Sequence, residues 1–131
     1  TMAAARRLRS LQVPHVGHKA PIPLGARVGP LICSSAIAGK DPATGALPTD
    51  VLAQASNAFA NLRALLAAGG ATLDDVVKLA VTVADEAARD AVNVQWLAAF
   101  PDADDRPARH VTLAPLQHGM RLQLEVTAWV Q

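Results

Sequence analysis

The sequence predicts a single domain of α+β or α/β class, in which two helices cover one face of a mixed β-sheet. Three observations support this prediction. Two segments carry apolar residues at helical spacing, each follows a strand-like segment, and two more strand-like segments end the chain. The length of 131 residues suits one domain with its own core, and no repeat or linker-like run divides it, so the domain is expected to span residues 1–131.

The first 25 residues predict an irregular approach that contains one short edge strand. Prolines and glycines between Pro14 and Gly25 favour loops over regular structure. Arginines precede an alternating stretch at the start of the chain, which favours an edge strand over a targeting leader. The strands expected in this half of the chain are Leu8–Val13, Arg27–Ser34 interrupted by Gly29 and Pro30, and Ala36–Gly39.

Two amphipathic helices are predicted. The first begins after Asp50 and ends at Gly69 and Gly70, because glycine commonly terminates helices. The second is expected over Glu86–Phe100, with Asp85 as its N-cap. The apolar positions that define the two inner faces are Val51, Ala55, Ala58, Phe59, Leu62, Leu65 and Leu66 in the first helix, and Val92, Trp96 and Phe100 in the second.

Three later strands complete the expected sheet: Val76–Ala84, Arg109–Ala114 and Arg121–Val130. Because side chains alternate along a strand, the leucines of the last strand are expected to meet the helices. Its other residues then lie on the helix-free face, which we define as the face of the sheet that no helix covers: Gln123, Glu125, Thr127 and Trp129. In the strand Val76–Ala84, the apolar face is expected to contain Val77, Leu79, Val81 and Val83.

Arg109 stands where a loop turns into a strand, in the segment DRPARH. A guanidinium fixed in such a place can bind a small carboxylate through two parallel hydrogen bonds. If the strand is regular from its first residue, Arg109 can share the helix-free face with Gln123. In the alternative interpretation, Arg109 pairs with Asp104 or Asp105 at the end of the strand.

Composition excludes several classes of function. Twelve basic and eleven acidic residues give a formal charge of +1, and aromatic residues make up 3%, so neither nucleic acid nor an anionic membrane is an expected partner. No apolar run is long enough for a membrane helix. Cys33 is the only cysteine, which fits a reducing compartment, and the spacing of the four histidines matches no zinc site, so no metal is expected. Hydrophobic residues reach 51%, which favours an oligomer.

Several segments together resemble the RidA (YjgF) family. In chain order they are PLICSSAI from Pro30, DPATG from Asp41, QASNAFANLRALLAAG from Gln54, LDDVVK from Leu73, AVN from Ala91, RPAR from Arg106 and QLEV from Gln123. They extend from Gly29 to Val130 in the order found in the family. The resemblance implies an α+β fold of the chorismate-mutase-like type and a homotrimer whose sheets line a central barrel. It also implies clefts between neighbouring subunits, which agrees with a helix-free face open to another copy.

The resemblance also implies an activity. Family members of the archetypal kind hydrolyse reactive enamines and imines, such as 2-aminoacrylate, to the keto acid and ammonia without a cofactor. By position, Arg109 matches the arginine that binds the substrate carboxylate, and Ser34 and Ser35 match residues that line the cleft. We therefore interpret the protein as a cytoplasmic deaminase of small carboxylate-bearing imines and enamines.

Three positions depart from the family pattern. Ile22 takes the place of a cleft tyrosine, and Val111 takes the place of a cleft cysteine. Gln123 replaces the glutamate that positions water, while Glu125 matches the next acidic residue. A carboxamide cannot accept a proton from water, so Gln123 can orient the water or Glu125 can act in its place. The alternative hypothesis is a trimer that binds small carboxylates or keto acids without catalysis.

Overall fold

The computed structural model describes residues 8–131, which form one seven-stranded mixed sheet with both helices packed on a single face. Across the sheet the strands lie in the order β1-β2-β3-β7-β5-β6, and the short β4 pairs with β7. The prediction of an α+β domain is confirmed. The elements are β1 Ser10–Leu11, β2 Gly25–Val28, β3 Leu31–Ser34, β4 Ile37–Ala38, α1 Val51–Ala68, β5 Val76–Val83, α2 Glu86–Ala99, β6 Ala108–Leu113 and β7 Leu122–Trp129.

The N-terminal part of the chain is less regular than its strand patterns predict. The edge strand expected over Leu8–Val13 is reduced to β1, which pairs with β2. The single interrupted strand expected over Arg27–Ser34 is instead a hairpin, in which Val28 lies opposite Leu31. Gly29 turns the chain with a φ of 56°, a conformation that favours glycine. The prediction that the chain begins without a targeting leader depends on residues 1–7. These residues lie outside the described part of the structure.

Both predicted helices are confirmed. Asp85 is the N-cap of the second helix, as predicted, and Asp50 is the N-cap of the first. The Asp50 side chain accepts a hydrogen bond from the backbone N–H of Ala53, and Asp85 accepts one from Ala88. Helix α2 ends at Ala99, one residue earlier than expected. Apart from the half-buried Val51, the predicted inner faces are buried, and Trp96 contacts Phe100 with 4.8 Å between ring centroids.

The predicted apolar face of β5 is correct except at its start. Leu79, Val81 and Val83 are buried, but Val77 is 52% exposed while Val76 is buried. A β-bulge between Val76 and Lys78 causes this difference, because one extra residue in a strand moves the residues before it to the opposite faces.

The segment β5-α2-β6 positions the candidate site. Strands β5 and β6 are parallel, so α2 is the crossover that returns the chain to the start of β6 and runs antiparallel to it. In the described part of the chain, β6 lies at one end of the sheet and pairs only with β5. Among residues 8–131, no helix is long and apolar enough to cross a membrane.

A buried glutamine fixes the loop that leads into β7. Gln54 of α1 is fully buried, donates hydrogen bonds to the carbonyls of Pro48 and Gly119, and accepts one from the N–H of Arg121. Its amide therefore satisfies three backbone groups that would otherwise lose their hydrogen bonds to water. This arrangement sets where β7, and with it Gln123, begins.

Candidate functional site

The guanidinium of Arg109 is held against helix α2 by two side chains. Its Nη1 donates a 2.8 Å hydrogen bond to Oδ1 of Asn93, and its Cζ lies 4.9 Å from the centroid of the Trp96 ring. Asn93 and Trp96 are three residues apart in the helix and so lie on the same side of it. A cation stacked on an aromatic ring and bonded at one nitrogen keeps its orientation while its other N–H donors remain available.

Electrostatics at this position favour an anion. Arg109 is partly buried, and loss of hydration lowers the pKa of its guanidinium, with a further lowering by the positive charge of Arg89. Both effects disfavour the cation, whereas a bound carboxylate would favour it. No acidic side chain pairs with Arg109 in the part of the chain that the structure describes.

The expected placement of Arg109 on the helix-free face is wrong. Arg109 lies opposite Leu79, which lies opposite the buried Val126, so Arg109 is on the helix side of the sheet. The side chains of β6 alternate between the two faces of the sheet. Arg109, Val111 and Leu113 face the helices, and His110 faces away. The alternative pairing with Asp104 or Asp105 is also wrong, since Asn93 is the partner.

Arg109 and Gln123 do not meet within one chain. Strand β5 separates their strands, and Gln123 lies opposite Thr82, three residues along β5 from Leu79. The offset is about 10 Å along the strands and about 10 Å across them, and the two side chains lie on opposite faces. A cleft that uses both residues must therefore take them from two copies of the chain.

The predicted cleft serines lie at a break between β3 and β4. Both of these strands pair with β7, and the three residues between the paired positions Cys33 and Ile37 oppose two residues of β7, which is the pattern of a β-bulge. The Oγ of Ser34 accepts a 2.9 Å hydrogen bond from the N–H of Val126, and the hydroxyl of Ser35 donates to the carbonyl of Pro23. Both hydroxyls therefore fix the bulge and the preceding loop.

The other predicted site residues surround this bulge or follow Arg109. Gln123 is half-buried and Glu125 is exposed, and both lie on the helix-free face as predicted. Ile22 is 44% exposed in the loop that Ser35 holds through Pro23. Val111 is half-buried beside the core, two residues beyond Arg109 on the helix side.

The site residues therefore form two groups. The anchor group contains Arg109 and Val111 with Asn93 and Trp96, at the free β6 edge, and it is suited to bind a carboxylate. The bulge group contains Gln123, Glu125, Ser34, Ser35 and Ile22, and it supplies groups that can hold water. Residues 8–131 contain no cluster of three or more histidine, cysteine, aspartate or glutamate side chains that could bind a metal ion.

Sequence reasoning missed the roles of two residues in the anchor group. Trp96 was expected only on the inner face of the second helix and Asn93 was assigned no role, yet both contact Arg109. Two signals were available. Asn93 and Trp96 share one side of a helix that precedes the arginine strand, and Val111 and Leu113 give β6 an apolar face on the side of Arg109.

Comparisons with known proteins agree on one family. The model of the family described as Endoribonuclease L-PSP matches residues 23–130. A RutC family protein of Haemophilus influenzae is 34% identical over 118 residues, which cover 84% of this chain and 91% of that protein. The 2-iminobutanoate/2-iminopropanoate deaminase of Escherichia coli strain K12 is 33% identical over 110 residues, which cover 82% of this chain and 86% of the enzyme.

Solved structures share the fold over nearly the whole chain. The YjgF protein of E. coli superposes with a TM-score of 0.84 at 27% identity, covering 95% of this chain and all of the other. RidA from an Antarctic Psychrobacter has a TM-score of 0.83 at 26% identity, covering 94% of this chain and all of the other. The match to residues 23–130 omits β1 and includes every later element.

Proposed function

We propose that this chain, which belongs to the RidA (Endoribonuclease L-PSP) family, hydrolyses small carboxylate-bearing imines and enamines to keto acids and ammonia. The observation that carries the proposal is the guanidinium of Arg109, oriented by Asn93 and Trp96 and not neutralised by any described acidic side chain. The names of the related deaminases support the same reaction class.

Binding begins at the substrate carboxylate. Asn93 uses one N–H of Arg109, and the opposite edge of the guanidinium offers two parallel donors for a bidentate pair. Such a pair fixes both the position and the plane of the carboxylate, so the adjacent imine carbon is presented in a defined orientation. Val111 provides an apolar surface beside this position.

The reaction needs only water. An enamine substrate first takes a proton on its terminal carbon and becomes the imine. The oxygen of water then bonds to the imine carbon while the C=N electron pair moves to nitrogen; one O–H bond of the water breaks and nitrogen gains a proton. The resulting carbinolamine loses ammonia as the carbonyl forms, and water supplies the oxygen of the keto acid. A protonated imine is strongly electrophilic, so aligning the water can account for much of the acceleration.

Gln123 and Glu125 are the proposed water-positioning groups. The carboxamide of Gln123 can hold a water by hydrogen bonds but cannot accept its proton, whereas Glu125 can do both. Both side chains lie on the helix-free face, away from Arg109. The proposal therefore requires a cleft between copies of the chain, in which one copy supplies the anchor group and another supplies the bulge group.

A homotrimer is the assembly proposed for this cleft. Support comes from the apolar patch of Val28, Leu31 and Trp129 on the helix-free face, where each residue is between 41% and 64% exposed. An apolar patch on a sheet face that no helix covers is a typical site for subunit contact. We place the protein in the cytoplasm, which fits its single cysteine.

Gln123 also favours one alternative, a trimer that binds small keto acids or imines without hydrolysing them. The anchor group serves both functions equally. The two differ in whether the bulge group activates water, and Gln123 lacks a basic oxygen.

Ammonia release from freshly generated 2-aminoacrylate separates the two functions. The parent protein is expected to exceed the buffer rate, and Gln123→Glu is expected to increase kcat by about tenfold, because it adds a base at the water position. Glu125→Gln is the matched variant, and a loss of activity there would assign the base to Glu125. No acceleration by the parent, together with measurable binding of the keto acid, would establish the binding-only alternative.

A further inference from the structure

A second guanidinium lies beside the anchor group. Arg89 stands four residues before Asn93 and seven before Trp96 in α2, so the three side chains share one side of the helix. The side chain of Arg89 is 41% exposed, but its Nε is buried and has no hydrogen-bond partner. The nearest carboxylate oxygen, on Glu86, is 3.8 Å from Nε, too far for a hydrogen bond.

Helix and strand geometry put Arg89 at the level of Val111, because α2 runs antiparallel to β6. From Asn93 to Arg89 the helix advances about 6 Å, and from Arg109 to Val111 the strand advances about 6.6 Å in the same direction. Because Asn93 contacts Arg109, Arg89 is level with Val111. Its charge is close enough to contribute to the lowered pKa of Arg109.

Two neighbouring guanidinium groups repel each other unless anions separate them. Asp85, the other acidic residue at this end of α2, is paired with Arg121 through a 2.9 Å contact. Asp90 is exposed and follows Arg89 directly, so it lies about 100° away around the helix. Glu86 forms only a long ion pair of 3.8 Å with Arg89 and is itself 71% exposed, so the charge at Arg89 remains available to a ligand that Arg109 already holds.

Building on the proposed function, we propose that Arg89 selects imines with a second carboxylate. Arg109 binds the carboxylate next to the imine carbon, Val111 contacts the carbon chain, and Arg89 binds the distal carboxylate. The offset between the two cations suits a dicarboxylic imine of roughly four to six carbons. Arg89 is thus a specificity-determining residue that does not touch the reacting atoms.

The test compares two imines generated from their amino acids by an oxidase, 2-iminobutanoate and the dicarboxylic 2-iminoglutarate. In the parent, kcat/KM is expected to be higher for 2-iminoglutarate. Arg89→Gln is expected to reduce kcat/KM for 2-iminoglutarate about tenfold, because one charge-assisted hydrogen bond is lost. The same variant is expected to change kcat/KM for 2-iminobutanoate by less than about twofold. Arg63→Gln, at an exposed arginine of α1, is the matched control. Equal effects of Arg89→Gln on both imines, or no effect on either, would overturn the proposal.

A binding measurement separates this proposal from the catalytic one. If the parent accelerates neither imine, the proposed deaminase function is contradicted, and calorimetry with 2-oxoglutarate and 2-oxobutanoate then tests Arg89 alone. A preference for 2-oxoglutarate that Arg89→Gln abolishes would support the role of Arg89. Equal binding of the two keto acids by the parent, or binding of neither, would contradict it.

Discussion

Nη1 of Arg109 donates a 2.8 Å hydrogen bond to Oδ1 of Asn93, and this bond fixes the orientation of the partly buried cation at the free edge of the sheet. The partner is a neutral amide, so it orients the guanidinium without cancelling its charge. A carboxylate at position 93 would bond in the same place and neutralise it. The neutrality of Asn93 is therefore what keeps Arg109 available to a carboxylate ligand.

Substitutions of Asn93 test this relationship. Asn93→Asp is expected to raise KM for 2-iminobutanoate by roughly tenfold or more, because its carboxylate competes with the substrate for Arg109. Asn93→Ala removes only the positioning bond and is expected to raise KM by about fivefold. Gln95→Glu adds the same negative charge to the same helix and serves as the control. An unchanged KM for Asn93→Asp, measured by steady-state deamination, would show that Arg109 does not bind the substrate carboxylate.

Trp129 tests the proposed assembly. It is 51% exposed and lies opposite Leu31 on the helix-free face. Trp129→Lys is expected to convert the trimer to monomers, since it places a charge in the apolar patch, and light scattering after size-exclusion chromatography measures the mass. Leu97→Lys, at a 55% exposed position on α2, should leave the trimer intact. A monomeric parent would contradict an intersubunit cleft, and a trimeric Trp129→Lys would show that the patch is not the interface.

Gln54 tests how the loop before β7 is held. Gln54→Leu removes hydrogen bonds from the Pro48 and Gly119 carbonyls and from the Arg121 N–H, and it is expected to lower the free energy of unfolding by about 3 kcal/mol. Urea denaturation gives this value from the midpoint and slope. The exposed Gln117→Leu should change the free energy of unfolding by less than about 0.5 kcal/mol. Equal effects of the two variants would contradict the role assigned to Gln54.

Asp85 predicts a pH dependence of stability. The hydrogen bond from the Ala88 N–H, and in addition Arg121, lowers the pKa of Asp85 below its ordinary value. A carboxyl whose pKa is lower in the folded state stabilises the fold above its unfolded pKa of about 3.9, and this contribution is lost as the pH falls through the folded value. Asp85→Asn keeps the helix cap but loses the charge. It should therefore be less stable than the parent at pH 7, and the difference should shrink below about pH 4.

Thermal or urea unfolding at several pH values measures that difference. Asp90→Asn, at an exposed position of the same helix, controls for the loss of one surface charge. Asp85→Ala should be less stable than Asp85→Asn at every pH, because it also lacks the cap. A difference between the parent and Asp85→Asn that stays constant from pH 7 to pH 3 would contradict the assigned pKa shift.

The sequence predicted the elements well and the faces of the strands less well. Helical spacing identified both helices, Gly69 and Gly70 marked the end of α1, and Asp85 marked the start of α2, because these signals are local. The bulge that exposes Val77 was not predictable, since it depends on the pairing of β5 with β7. Alternation shows which residues of a strand share a face but not which face meets the helices, and for this reason Arg109 was assigned to the wrong side.

The residues of the candidate site were also predicted better than their arrangement. Arg109, Gln123 and the serines were identified from motifs, but their separation into two groups follows from the strand order, in which β5 lies between β6 and β7. The contacts of Asn93 and Trp96 with Arg109 depend on how α2 crosses the sheet, which single-sequence patterns do not specify. The role proposed for Arg89 depends on the same crossing.

The central claim is that Arg109 anchors the carboxylate of an imine that the protein hydrolyses. The most direct measurement is kcat/KM for keto-acid formation from 2-iminobutanoate by the parent and by Arg109→Ala, with added guanidinium as chemical rescue. We expect the parent to exceed the buffer rate, Arg109→Ala to lose about a hundredfold in kcat/KM, and guanidinium to restore part of it. An Arg109→Ala variant with the kcat/KM of the parent would contradict the claim.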